Sequence, residues 1–268
     1  MASNTSVDVQ TANEIIANDP APQVSVPGKT STTLLRGIQD PDSKEWFTNA
    51  IVREMTGADE EEMSSFDTRN NVSYSEYMSH LLKRAVVSIG NTNVKEQPLA
   101  IDDLIIGDRD ILFMAVIRAT YGRYREFEVN CRECGKSNNV TVDLDTDFPV
   151  EDTEHDLHKD MKVTLKNGSV IYLRYPRGSD SQYVAKKAKT TAEQNTIMLA
   201  RCVVLDEVKQ PFELEAWARE LSLADRNKIV KTLLSAQPGP RMEEVKTQCA
   251  HCNANIVLAL DWVALLFG

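Results

Sequence analysis

Two Cys-x-x-Cys motifs, Cys131/Cys134 and Cys249/Cys252, are the feature that most constrains what this chain can fold into. Each motif lies in a short polar turn, and each is followed by a strand-like segment that ends in Asp. The two motifs are offset by 118 residues. Their matching surroundings predict a metal site made of four cysteines and a chain built from two copies of one unit.

The thiols fit the chemistry of a structural zinc site, in which four thiolates lie about 2.3 Å from one tetrahedral ion. The residue after each second cysteine is Gly135 or Asn253, the two residue types that best tolerate a left-handed backbone. One motif supplies only two ligands, so the two motifs must meet across the chain. We therefore expect a zinc-ribbon-like site with four ligands to one shared ion: Cys131, Cys134, Cys249 and Cys252.

Three other interpretations of the cysteines stay open at this point. A thioredoxin-like redox motif would place its first thiol at a helix N-terminus, whereas both motifs here are followed by polar turns and strands. Each motif could instead share a metal with another subunit, or the thiols could be buried without a ligand.

The remaining cysteine and the histidines give weaker signals. Cys202 lies on a predicted helix stripe and is interpreted as a core residue, and His251 as a spacer within the second motif. His155 and His158 lie in an acidic loop that could bind a cation, although a solvated loop is the simpler interpretation.

The rest of the chain aligns with itself in phase. Arg53 and Asp59 match Arg174 and Asp180 at an offset of 121, and further pairs match at 117. These pairs are Arg84 with Arg201, Asp108-Arg109 with Asp225-Arg226, and Gly122 with Gly239. We therefore predict a flexible N-terminal arm over residues 1–32, a first repeat unit over 33–150 and a second over 151–268.

Local signals define the elements of each unit. Ser73/Glu76 and Thr190/Glu193 have the spacing of capping boxes, which begin helices, and Gly90 is expected to end the first of these helices. The apolar segment Ile111–Ile117 predicts a helix at the centre of a core. Asn167-Gly168 between alternating segments predicts a β-hairpin. The predicted fold class is α+β, with each unit running from strands through helices to a hairpin that carries the thiols.

Composition limits the classes of function. A net charge of −10 and a pI of about 5.0 disfavour binding to a phosphate backbone, since no basic cluster is evident. No apolar segment approaches the roughly 18 to 20 residues that span a bilayer, and the N-terminus has no secretory signal pattern. We expect reduced thiols and assembly in a cytoplasm.

The sequence contains none of the common hydrolase, phosphate-loop and metalloprotease motifs. The repeated pairs Asp108-Arg109 and Asp225-Arg226 are interpreted as helix caps and salt bridges within each unit. The sequence therefore predicts a protein that is not an enzyme and has no small-molecule substrate.

Several short segments carry a resemblance to a known family: Leu104–Leu112, Ala119–Gly122, Leu199–Val204, Pro238–Pro240 and Asp261–Phe267, together with both cysteine motifs. In these segments the chain resembles the T-even-type bacteriophage baseplate proteins, over about residues 34–268. That family is associated with the baseplate hub and its assembly. The resemblance implies that the four cysteines are metal ligands and supplies no catalytic residue.

The resemblance implies a virion protein that connects or assembles hub and tail-core components of a contractile tail and binds other tail or baseplate proteins. Two alternatives are an assembly chaperone absent from the finished particle, and a zinc-ribbon adaptor in a nucleic-acid or transcription complex. The acidic charge disfavours the adaptor.

Overall fold

A computed structural model describes residues 29–70, 72–205, 210–241, 245–258, 260 and 262–267. Its fold is mixed α+β, as predicted. Most of the predicted arm, residues 1–28, lies outside the described residues. Residues 29–32 belong to a strand instead, because they pair with the backbone of the next strand from Arg53 to Ala50.

The described residues form nine helices and thirteen strands. The helices are α1 (Gly57–Asn70), α2 (Tyr74–Ala85), α3 (Leu99–Asp103), α4 (Ile106–Tyr121), α5 (Gly178–Lys187), α6 (Thr191–Cys202), α7 (Pro211–Glu220), α8 (Leu223–Ser235) and α9 (Trp262–Phe267). The strands are β1 (Lys29–Gln39), β2 (Trp46–Arg53), β3 (Val86–Ile89), β4 (Thr92–Asn93), β5 (Tyr124–Asn130), β6 (Ser137–Asp143), β7 (Val150–Glu151), β8 (Met161–Thr164), β9 (Val170–Leu173), β10 (Val203–Val204), β11 (Gly239–Pro240), β12 (Val245–Gln248) and β13 (Asn255–Leu258).

The first core lies between α4 and an antiparallel four-stranded sheet of order β1-β2-β3-β4. Leu112, Phe113, Val116 and Ile117 of α4 are buried, which confirms the predicted central helix. The pairing of β1 with β2 is interrupted by a bulge between Thr33 and Ile38. This bulge leaves backbone N–H groups of β1 free to bind elsewhere.

The second core packs helices against a three-stranded sheet of order β10-β9-β8. Strands β8 and β9 pair antiparallel across the predicted Asn167-Gly168 turn, where Gly168 has φ +85°. The predicted capping boxes are present at Ser73 in front of α2 and at Thr190 in front of α6. These local predictions are confirmed. Each was possible because it depends on only a few neighbouring residues.

Asp59 and Asp180 are buried carboxylates in the first turns of α1 and α5, and they bind corresponding arginines. Each is held by one arginine that binds both oxygens and by a second that binds one oxygen: Arg53 and Arg84 around Asp59, and Arg174 and Arg201 around Asp180. The two-bond contacts measure 2.6 and 2.9 Å in both clusters. Each cluster therefore links a strand end to two helices.

Two arginines in α4 and α8 also have matching partners, at an offset of 117 residues. Each donates to two backbone carbonyls and one hydroxyl: Arg109 to Ile101, Ser75 and Ser79, and Arg226 to Ala218, Ala192 and Thr196. The two helices are thus joined to their neighbours by the same set of bonds.

Two sequence expectations differ from the structure. Helix α2 ends at Ala85 and not at Gly90, because Val86 already pairs with Val52 in the sheet. Gly90 instead lies in the β3–β4 turn with φ +53°. Asp108 does not cap α4, since its carboxylate accepts the backbone N–H groups of the β1 bulge.

The two cores are covered unequally. Residues that follow both cysteine hairpins pack into the first core: Leu144 and Phe148 after the first, and Leu260, Leu265 and Leu266 after the second. The Trp262 ring meets Phe113 of α4 edge-on, with centroids 5.1 Å apart. On α8, in contrast, Leu223 and Leu234 remain 76% and 65% exposed.

Candidate metal centre

Both cysteine motifs lie at the tips of antiparallel hairpins, β5–β6 and β12–β13. Each turn is closed by a backbone hydrogen bond that its first cysteine donates. Its N–H donates to the Lys136 carbonyl at 2.9 Å in the first hairpin and to the Ala254 carbonyl at 2.8 Å in the second. The backbone of each turn therefore holds both thiols of its motif on the same knuckle.

The residue after each second cysteine has a left-handed backbone, as predicted from the sequence. Gly135 has φ +70° and Asn253 has φ +57°. The N–H of each donates at 2.9 Å to the carbonyl of the first cysteine in its motif. Glycine and asparagine adopt this conformation with little steric cost, so the residue type directly supports the turn.

The four sulfur atoms come together between the hairpins, with every pair within 4.8 Å. Two contacts cross from one hairpin to the other at 3.7 Å: Cys131 Sγ to Cys252 Sγ, and Cys134 Sγ to Cys249 Sγ. A disulfide would need about 2.05 Å, and all four thiols are free. A tetrahedral ion with bonds of about 2.3 Å would place its sulfurs about 3.8 Å apart. The group could therefore hold one metal ion.

The surroundings of the sulfurs fix the two hairpins against each other. Cys131 and Cys249 are buried in a small cluster with Val140 and Ile256, whereas the second thiol of each motif is exposed. The side chain of Asn138 in β6 accepts the N–H of Ala250 in the second knuckle at 2.9 Å. Sequence reasoning did not identify this bridging role, because an asparagine in a polar strand gives no distinctive signal.

A bound cation would offset the repulsion between the four sulfurs when they are ionised. Burial acts to raise the pKa of Cys249, but N–H groups of His251 and Cys252 point at its sulfur and lower the pKa to about 6. At Cys252 a backbone bond acts in the lowering direction, but burial and the three neighbouring sulfurs raise the pKa to about 12. Four thiolates this close repel one another, and a divalent cation would offset that repulsion.

Four protein ligands would fill a tetrahedral coordination shell and leave no open position for a water or substrate. Such a closed arrangement holds chain segments together and does not activate a nucleophile. Both motifs lie within one chain, so a second subunit is not needed to complete the set. Each motif joins two strands, unlike the helix N-terminus that activates a thioredoxin-like thiol.

The other residues considered from the sequence lie outside this group. Cys202 is fully buried in the second core, where burial and then the charge of Asp180 raise its pKa to about 12. His251 contacts Cys249 Sγ through its backbone N–H, at 3.4 Å. His158 packs on the Trp46 ring with centroids 4.6 Å apart.

Comparison with known proteins gives a family match. A family model described as T4 bacteriophage base plate protein matches residues 42–267, most of the chain and both cysteine motifs. No curated protein and no solved structure matches. Within the described residues, no helix has both the length and the apolar character needed to cross a membrane.

Proposed function

This chain belongs to the T4 bacteriophage base plate protein family, and from that premise we propose that it connects or assembles hub and tail-core components of a contractile tail baseplate. Its partners are other tail and baseplate proteins, and it works in the virion after assembly in the host cytoplasm. The family match over residues 42–267 is the observation that supports this proposal.

Mass spectrometry of gradient-purified virions tests the proposal. Peptides of this chain should copurify with tail proteins at a constant ratio and be enriched relative to the infected-cell lysate. A chain abundant in the lysate and absent from intact particles would instead be an assembly chaperone. Phage that lacks this chain should fail to form complete baseplates whether the chain is a virion component or a chaperone. The deletion therefore tests the need for the chain, and the mass spectrometry separates the two roles.

Zinc is the metal proposed for the four-cysteine group, with Cys131, Cys134, Cys249 and Cys252 as its ligands. All-sulfur tetrahedral coordination is typical of zinc in structural sites. The sulfur contacts of 3.7 Å between the hairpins support a single shared ion. When bound, that ion supplies cross-linking and charge compensation, and its role is structural.

The proposed architecture is an internal duplication, with units at residues 33–150 and 151–268, and with residues 29–32 of the predicted arm belonging to β1. The matching arginine–carboxylate clusters around Asp59 and Asp180 support it. So do the strand pairs Val52–Val86 and Leu173–Val203, which occupy corresponding places in the two larger sheets. Each unit then contributes one hairpin, and the metal joins unit to unit.

We propose that the protein has no catalytic activity. The repeated Asp-Arg pairs have structural partners: Asp108 binds the β1 backbone, and Arg109 and Arg226 bind helix carbonyls. A zinc-ribbon adaptor for nucleic acid is the alternative from another class. It would need a basic surface, and the net charge of −10 counts against it.

A further inference from the structure

A cavity of about 870 Å³ opens between the end of β1, the start of α3 and the loops that carry His158 and Arg177. Two arginines, Arg36 and Arg177, line it together with the Trp46 ring. The cavity lies apart from the four cysteines, and none of its lining residues belongs to the metal group.

Both arginines have unused hydrogen-bonding capacity in the cavity. The Nε atoms of Arg36 and Arg177 are buried and have no hydrogen-bond partner. Arg177 has one long contact, from Nη1 to Asp103 at 3.3 Å. Among the described contacts, the Arg36 guanidinium packs only on the face of the Trp46 ring, 4.8 Å from the ring centroid. A ligand in the cavity would be recognised by the terminal nitrogens of the two guanidiniums, since the Nε atoms are enclosed.

The backbone holds Arg36 in this place. The Asp108 carboxylate accepts the N–H groups of Leu35, Arg36 and Gly37 in the β1 bulge, with the shortest bond at 2.6 Å. Because this carboxylate is occupied by backbone donors, it does not pair with the guanidinium. The side chain of Arg36 is thus anchored at its base and remains available at its tip.

Arg36 is the guanidinium of the cavity lining that has no ion-pair partner among the described contacts. Burial and then the charge of Arg177 lower the pKa of Arg36, so the two groups lie within electrostatic reach of each other. Two acids, Glu96 and Asp103, also line the cavity, but Glu96 accepts from the Asn93 side chain and Asp103 is bound to Arg177. Asp108 is bound to backbone, and Asp160 lies close enough to act on Arg36 through its charge. An anion that enters the cavity would offset the repulsion between the arginines.

The remaining walls suit a peptide more than a free ion. Leu99 lies at the rim with 70% of its surface exposed, and Ile38, Pro98 and Trp46 add apolar surface. A carboxylate matches the planar fork of an arginine, and apolar neighbours of that carboxylate would cover the exposed leucine. We propose that this cavity binds an acidic peptide segment, with carboxylates on Arg36 and Arg177, from another protein of the baseplate.

The assignment to another baseplate protein rests on the proposed function. Peptide binding by itself does not, since it can be measured on the isolated chain. If the wild-type protein does not bind the peptide but is incorporated normally into virions, this inference alone is overturned. If it binds the peptide but is absent from virions, only the structural role in the particle is overturned.

Fluorescence anisotropy with the full-length protein tests the inference. The probe is a labelled hexapeptide of alternating leucine and glutamate, and the matched probe replaces every glutamate with glutamine. We expect the acidic probe alone to bind, with affinity that falls as salt is raised. Arg36→Gln and Arg177→Gln should each weaken binding about tenfold or more, the loss typical of a charge-assisted bond of ~1.4 kcal/mol.

Two further variants separate the cavity from general effects of charge and folding. Arg219→Gln makes the same change of charge at an exposed arginine paired with Glu215, and should leave binding unchanged. Leu99→Asp places a negative charge at the rim on an exposed side chain, and should weaken binding while both arginines are kept. Circular dichroism melting checks that each variant is folded.

Several outcomes would overturn the inference. Equal binding of the two probes, or equal loss in Arg219→Gln and Arg36→Gln, would show that the cavity does not recognise the carboxylates. Complete competition by inorganic phosphate at the probe concentration would indicate a small-anion site. A tenfold gain in a full-length variant with Asp8, Glu14 and Asp19 changed to amides would overturn the assignment to another protein, since the chain's own acidic residues would then compete for the cavity.

Discussion

The Sγ atom of Cys131 lies 3.7 Å from the Sγ atom of Cys252, although 121 residues separate them in the chain. This contact joins the first cysteine of one hairpin to the second cysteine of the other, and the remaining two thiols make the reciprocal contact at the same distance. The group is therefore a single crossing of two hairpins, which is the geometry expected for one shared ion and not for two separate ones.

We predict about one zinc per chain, measured by elemental analysis of the reduced, folded protein. Cys134→Ser should lose the metal and a large part of the ~10 to 16 kcal/mol that a structural zinc can supply, and so melt at a much lower temperature. Cys202→Ala is the control, because Cys202 lies in the second core and its loss should leave the zinc content unchanged. Two ions per chain, or none in a folded sample, would contradict the shared site.

Removal of the metal should loosen the hairpins before the sheets. After treatment with a strong zinc chelator, amide hydrogen exchange should rise first in β5–β6 and β12–β13, which form separate two-stranded sheets. Exchange in β1–β2 should change least, since that pair belongs to a larger sheet over the main core. Zinc should restore protection and magnesium should not, because thiolates bind magnesium poorly. Uniform loss of protection would show that the metal holds the whole fold.

Asp180→Asn should destabilise the protein by about 3 to 5 kcal/mol, since it leaves two arginines facing a neutral amide in a buried cluster. Burial alone would raise the pKa of Asp180, but Arg174 and the other donors hold it below its usual value. Its stabilising effect is therefore present above the unfolded pKa of about 3.9 and lost as pH falls through the lower folded value. Thermal melts from pH 6 to pH 2 should show a steeper loss in the wild type than in the variant.

A matched control for this cluster is Arg219→Gln, which breaks an exposed pair with Glu215 and should change stability by no more than about 1 kcal/mol. Asp59→Asn should behave like Asp180→Asn, because its contacts are the same. Parallel acid profiles of the wild type and Asp180→Asn would contradict the ionised cluster.

Gly178→Ala should destabilise the protein by about 1 to 3 kcal/mol, because an added methyl group would overlap the Arg109 guanidinium. Gly57 begins α1 as Gly178 begins α5, but it has open space around it. Gly57→Ala should therefore be neutral or stabilise the fold by a few tenths of a kcal/mol to about 1 kcal/mol. Chemical denaturation measures both. Equal effects would show that Arg109 does not pack against α5.

Asp110→Asn should stabilise the protein above neutral pH. Burial raises the pKa of Asp110 to about 7, although Arg109 and Arg241 act to lower it. A raised folded pKa means that stability present below the unfolded value of about 3.9 is lost as pH rises towards 7. Melting temperatures between pH 5 and pH 8 should fall less in the variant. Identical slopes would show that Asp110 does not contribute to this pH dependence.

The predictable parts of the fold are those that a few adjacent residues determine. Gly135 and Asn253 fix the knuckle turns through their own backbone preference, and Asn167-Gly168 fixes a hairpin in the same way. The proximity of the four thiols was also predictable, because each knuckle offers only half of a ligand set. These signals need no knowledge of the rest of the chain.

The remaining features depend on tertiary contacts that local patterns do not encode. Asp108 has the sequence position of a helix-terminal carboxylate, yet it binds a strand more than 70 residues earlier in the chain. The end of α2 at Ala85 is set by the pairing of Val86 with β2. The cavity at Arg36 and Arg177 arises where segments from both halves of the chain meet, so neither residue is distinctive in the sequence.

The crossing of the two hairpins also has a mechanical consequence. With zinc bound, the ion closes residues 131–252 into a ring, so that a pull on the two ends of the chain passes from β5 through the metal to β13. Residues 135–248, which include the three-stranded sheet, would then carry tension only after a zinc–sulfur bond breaks. In the proposed role in a contractile tail, such a chain would transmit force along a short path while the segment between the two knuckles stays folded and unstretched.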